Sequence, residues 1–137
     1  MKKTLTTVSV ILLFSLSLAP AGQRVLHIHH TEGINPYLKL IDAVVWVESR
    51  GDPYAYNDFE NAVGAFQIRQ IRVDHYNRLT GSVYQLSDCY DYELSKRIFL
   101  YFAHGKTLEK AAKDWNGSGP MTDDYWEKVR NLLISNQ

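Results

Sequence analysis

The chain has 137 residues, enough for one domain, or for one small domain behind a leader. Its hydrophobic content of 45% is ordinary for a globular protein, and 15 basic residues balance 15 acidic ones. No basic run stands out, which argues against a nucleic-acid-binding or other polyanion-binding protein.

Residues Met1 to about Ala21 read as a secretory signal. Lys2 and Lys3 give the positive start, and Val8 to Leu18 is apolar apart from three serines. Ala19-Pro20-Ala21 fits a small-x-small cleavage pattern. The apolar core is short for a transmembrane helix, so we expect export without a membrane anchor. Removing Lys2 and Lys3 leaves 13 basic against 15 acidic residues, a mildly acidic mature chain of about 116 residues.

Residues 22–34 form an N-terminal arm carrying His27, His29 and His30. A metal site needs three or four convergent ligands. No Cys lies here and Glu32 is the only nearby carboxylate, so the segment reads as a mobile or packed arm and no metal is expected. The lone cysteine, Cys89, excludes an internal disulfide. With Tyr90 and Tyr92 beside it, it reads as a small packed residue.

Leu40 to Gly51 (LIDAVVWVESRG) organises the rest. Asn35-Pro36 supplies a helix start. Ile41, Val44, Val45 and Glu48 share one helical face, and Gly51 is a plausible stop. Glu48 thus reaches the negative end of the helix among Val44, Val45 and Val47. Both settings raise a carboxyl pKa and suit a general acid.

A turn-rich loop follows, with Tyr54, Tyr56 and Phe59 interleaved among Asp52, Pro53, Asn57, Asp58 and Asn61. Residues 62–68 lead into a second helix through about Arg78, closed by Gly81, with Phe66, Ile71 and Val73 towards the core. Asp88 to His104 is a third helix carrying Leu94, Ile98, Leu100 and Tyr101 inward, with Gly105 beyond it. Thr107 caps a short helix through Trp115, and residues 116–120 form a loop. Thr122 caps the last helix, with Asp123 and Asp124 in its first turn and Tyr125, Val129, Leu132 and Leu133 as its stripe. The expected fold is all-α or mainly α, a single domain over 35–137, with a small β-hairpin in the 52–63 loop as the one allowance for strand.

Three segments resemble a known family when taken together. Glu48-Ser49, Pro53, Ala55, Gly64 and Gln67-Ile68 resemble the first motif of the SLT-type lytic transglycosylases of the lysozyme-like superfamily. Ala112-Lys113-Asp114-Trp115-Asn116-Gly117-Ser118-Gly119 is similar to that family's Ala-x-x-Tyr-Asn-Ala-Gly segment. Residues 122–129 (TDDYWEKV) resemble its closing Thr-x-x-Tyr-x-x-Lys-Val helix start. In this chain Gly64-Ala65-Phe66-Gln67 replaces Gly-Leu-Met-Gln, and Trp115 replaces Tyr, which keeps a stacking face and loses the phenol.

The resemblance implies a lysozyme-like α fold with a cleft, and peptidoglycan glycan strands as substrate. It implies a periplasmic, cofactor-free enzyme that cuts between N-acetylmuramic acid and N-acetylglucosamine and leaves a 1,6-anhydro end. It assigns Glu48 as the single acid and base. Ser49, Gln67, Trp115, Asn116 and Tyr125 become substrate-binding candidates. Two other readings remain open: a hydrolytic lysozyme using a second carboxylate such as Asp58, Glu60 or Asp74, and a non-catalytic glycan-binding accessory protein. The small size also suits local cutting on behalf of a secretion or conjugation machine.

Overall fold

The first helix begins one turn after an Asn that turns the chain. This computed structural model describes residue 35 and residues 37–135. The expected signal segment and the expected arm with His27, His29 and His30 fall in residues 1–34, which with Pro36 and residues 136–137 lie outside the described residues. Asn35 Oδ1 accepts from the Tyr37 N–H at 3.0 Å, and its carbonyl accepts from the Leu38 N–H at 3.0 Å. Helix α1 then runs Leu38–Ser49 and buries Leu40, Ile41, Ala43, Val44 and Val45. Its stop differs from the expectation. Arg50, not Gly51, takes the first left-handed position (φ 59°, ψ 24°), and the Arg50 N–H closes on Trp46 O. Gly51 follows at φ 88°, so two consecutive residues unwind the helix.

The expected hairpin is present and gains a third strand. Strands β1 (Tyr56–Asn57), β2 (Ala62–Val63) and β3 (Ile68–Arg69) form an antiparallel sheet in the order β1-β2-β3. Tyr56 pairs with Val63, and Val63 in turn pairs with Ile68. Residues 62–68, expected to lead directly into a helix, are instead strand, turn and the start of a second strand that ends at Arg69. Gly64 explains the turn. It sits at φ 76°, and a Cβ there would stand 2.3 Å from the Cys89 carbonyl oxygen. Only glycine lets the turn approach that carbonyl so closely.

Helix α2 consequently starts at Gln70 and runs to Thr80, with Gly81 at φ 72° closing it as expected. Ile71 and Val73, two residues apart, cannot share one face of a helix. Val73 and Tyr76 are buried, whereas Ile71, expected in the core, is 76% exposed. The expected third helix is two elements, a 3-10 turn at Leu86–Tyr90 and helix α3 at Tyr92–Ala103. Asp91 makes the break: its backbone is extended, and its carboxylate accepts from the Leu94 N–H at 2.9 Å. Leu94 and Ile98 point inward, Leu100 is half-buried, and Tyr101 is exposed against expectation.

Helix α4 (Leu108–Asn116) is capped by Thr107, whose hydroxyl accepts from the Lys110 N–H at 3.2 Å. Asn116 is its last residue rather than the first of the loop. Helix α5 spans Met121–Ser135, so Thr122 lies inside its first turn. The Thr122 hydroxyl donates to Gly119 O at 2.7 Å instead of accepting as a cap. Asp123 and Asp124 do occupy the first turn.

Helix α5 packs against α1 and α4, and α4 packs against α3. The centre is aromatic. Phe66, fully buried, meets Phe99 at 5.5 Å and the Trp115 edge at 6.3 Å between ring centroids. A side chain from the 64–67 turn thereby fixes the sheet to the helices. Burying a ring of that size contributes about 1.5–3 kcal/mol.

Candidate active site

Glu48 stands one residue before the end of α1, and α5 crosses where that end opens. The Tyr125 hydroxyl donates to Glu48 Oε1 at 2.8 Å. Tyr125 is itself buried, as the stripe of α5 requires. Burial raises the Glu48 carboxyl from about 4.5 to about 7, against the lowering effect of the Tyr125 hydrogen bond. The charge of Glu60 adds to the rise, and Arg69 opposes it. Burial and the adjoining Glu48 hold the Tyr125 phenol protonated, well above the ordinary phenol range. The pair thus keeps one shared hydrogen bond through the neutral range. It leaves Glu48 divided between acid and carboxylate near pH 7, the condition in which one group can both give and take a proton.

A cleft of about 250 Å³ opens on Glu48. Gln67 and Ile68 form part of its wall, with Trp115 and Asn116 from the end of α4. Four of the six sequence-predicted site residues, Glu48, Gln67, Trp115 and Asn116, therefore line one space. Tyr125 reaches it through its bond to Glu48.

Ser49 acts through the backbone. Its hydroxyl lies 2.9 Å from Ala65 O and 3.2 Å from Val45 O, tying the end of α1 to the 64–67 turn. Gln67 sits at φ 48°, a left-handed position costly for a residue with a Cβ by roughly 1–2 kcal/mol. Its side-chain amide donates to Gly64 O at 3.0 Å, which closes the turn on itself. Trp115 is 7% exposed, and its indole N–H donates to Phe66 O at 3.2 Å. The Arg72 guanidinium covers its ring at 4.7 Å.

The structure adds residues that motif reading passed over. Arg69, Ile71, Arg72 and His75 line the cleft from β3 and α2. Arg72 Nη2 donates to the carbonyls of Asp114 and Trp115 at 3.2 and 3.0 Å, and its guanidinium also lies 5.0 Å over the Phe102 ring. It satisfies carbonyls that the end of α4 would otherwise leave open. Part of the signal was present: Arg72 and His75, three apart, share a face of α2, whereas Arg69 reaches the cleft from the strand before it.

The second-carboxylate candidates separate. Glu60 lines the cleft and stands 4.0 Å from Arg69. Asp58 is exposed in the β1–β2 turn, and Asp74 accepts from the Gln70 side chain at 2.8 Å. Among the described residues, no group of three His, Cys, Asp or Glu converges as a metal site requires. No described helix is long and apolar enough to cross a membrane. Comparison of the chain with protein-family models, with curated proteins and with solved structures returns no match.

Proposed function

We propose that this chain is a lytic transglycosylase with a lysozyme-like fold, acting on peptidoglycan glycan strands with Glu48 as its single proton-transfer group. The observation that carries the reading is the Glu48–Tyr125 pair at the mouth of a cleft, with the carboxyl raised to about 7. The motif resemblance supplies the substrate, and the geometry supplies a suitable acid. In this mechanism Glu48 protonates the glycosidic oxygen as the C1–O bond breaks. The 2-acetamido oxygen of the muramyl residue assists at C1. Glu48, now a carboxylate, takes the proton of the 6-hydroxyl as that oxygen closes on C1, so no water is consumed. Tyr125 stabilises the carboxylate form between the two transfers.

The setting we propose is the periplasm, reached through the N-terminal signal, with a secretion or conjugation machine as the partner that directs local cutting. A hydrolytic outcome is the second reading, favoured by Glu60 in the same cleft. There a second carboxylate would position a water.

Mass spectrometry of soluble products from purified peptidoglycan separates the readings. Products one water lighter than the reducing form, and none from Glu48→Gln, are the expected result. Reducing ends lost in the variant assign hydrolysis. No products from the wild type, with glycan binding retained, assign an accessory role.

A further inference from the structure

The cleft holds two guanidinium groups in different states. Arg72 is committed to two backbone carbonyls and lies against two rings. Arg69 meets only a loose partner: Glu60 Oε1 stands 4.0 Å away, with the two side chains 43% and 48% exposed. An ion pair of that length and exposure adds little to stability and exchanges readily.

The Arg69 backbone is nonetheless fixed. It lies in β3, its Cα paired with that of Ala62, and it is the extended residue that opens α2. The same hairpin that pairs with β3 carries Glu60 at its turn. A guanidinium on a rigid strand, facing a cleft and lightly held by a displaceable carboxylate, is built to exchange that carboxylate for another. Its planar fork matches a carboxylate in two-point contact.

We propose that Arg69 is a receptor for a carboxylate carried by the glycan strand, which takes the place of Glu60 when substrate enters. The assignment rests on the glycan reading given above and adds to it a preference for anionic strands. Two sources share this chemistry: the lactyl ether of muramic acid when free, and the carboxylates of a peptide stem.

The exchange also reaches the acid. The charged and titratable groups around Glu48 are Tyr125 on α5, Glu60 in the hairpin turn, Arg69 on β3, and Arg72 and His75 on α2. Arg69 favours the carboxylate form of Glu48, and Glu60 disfavours it. A substrate carboxylate that takes the place of Glu60 keeps one negative charge beside Arg69, so the exchange preserves the raised Glu48 carboxyl while the strand is bound.

The test uses calorimetric titration of the Glu48→Gln protein, in which Arg69 is intact and no turnover occurs. The probes are muramic-acid-containing oligosaccharides with free lactyl carboxylates, the same strands bearing stem peptides, and both with their carboxylates amidated. Amidation is expected to weaken binding about tenfold. The arm that shows the loss identifies the source of the carboxylate. Arg69→Gln, added to Glu48→Gln, is expected to bind free and amidated probes alike, and Arg69→Lys to restore part of the preference. Equal affinity of Glu48→Gln for free and amidated strands overturns the Arg69 assignment and leaves glycan binding standing. Failure of every strand to bind overturns both.

Discussion

Glu48 and Glu60 share one cleft and differ in their surroundings. Glu48 comes from a helix packed on two others, accepts from a buried Tyr125, and has its carboxyl raised to about 7. Glu60 comes from the turn of a two-residue-strand hairpin, is about half exposed, and faces Arg69 at 4.0 Å. Glu48 is half-buried at the end of a packed helix, whereas Glu60 stands exposed on a turn between two-residue strands. The two settings suit different chemistry: the Glu48 carboxyl suits proton transfer near neutral pH, and the Glu60 carboxylate suits charge compensation.

The largest expected effect tests this division directly. On the proposed transglycosylase reading, Glu48→Gln is expected to lower peptidoglycan turnover by about 10³-fold or more, and Glu60→Gln by less than about tenfold. Equal losses in steady-state assays of product release would place a second essential carboxylate in the cleft and favour hydrolysis. The next effect removes both walls at once. Gly64→Ala puts a Cβ into the Cys89 carbonyl at a left-handed φ, and it is expected to destabilise the fold by roughly 3 kcal/mol or more in urea denaturation.

A third prediction concerns pH. A carboxyl at about 7 when folded, against an ordinary 4.5, means that the native state binds more protons than the unfolded chain between those values. Stability therefore falls as pH rises through that window, by as much as about 3 kcal/mol. Glu48→Gln removes the dependence, so its thermal midpoint should exceed that of the wild type at pH 8 and approach it at pH 4.5. The smallest effect sharpens the picture further. Tyr125→Phe removes the hydrogen bond that favours the carboxylate. The Glu48 carboxyl then titrates above about 7, moving the alkaline limb of activity upwards by about one pH unit, as carboxyl NMR titration can check.

The sequence made the Glu48 wall legible and the Glu60 wall only in part. Ile41, Val44, Val45 and Glu48 recur at helical spacing, so the face and end of α1 could be read directly. Thr107 and Gly81 marked their helix ends for the same local reasons. The strand–turn–strand at 62–69 has no such period. Two-residue strands show no alternation, and Gln67 adopts a left-handed backbone that its side chain does not announce. That hidden turn delayed α2 and brought Arg69 and Arg72 to the cleft. Tyr101 failed similarly: an aromatic at core spacing lies on the surface, packed edge-on against Tyr76 and Phe102.

The contact that makes Gly64 obligatory is with the backbone of the residue that carries the only thiol in the 137 residues. Cys89 is fully buried and its thiol is pushed up to about 11, so it stays inert while the 64–67 turn rests on its carbonyl. An opening that exposes residue 89 would uncover a single sulfur. The rate at which a thiol reagent labels Cys89 is therefore expected to report how often the core around residue 89 opens.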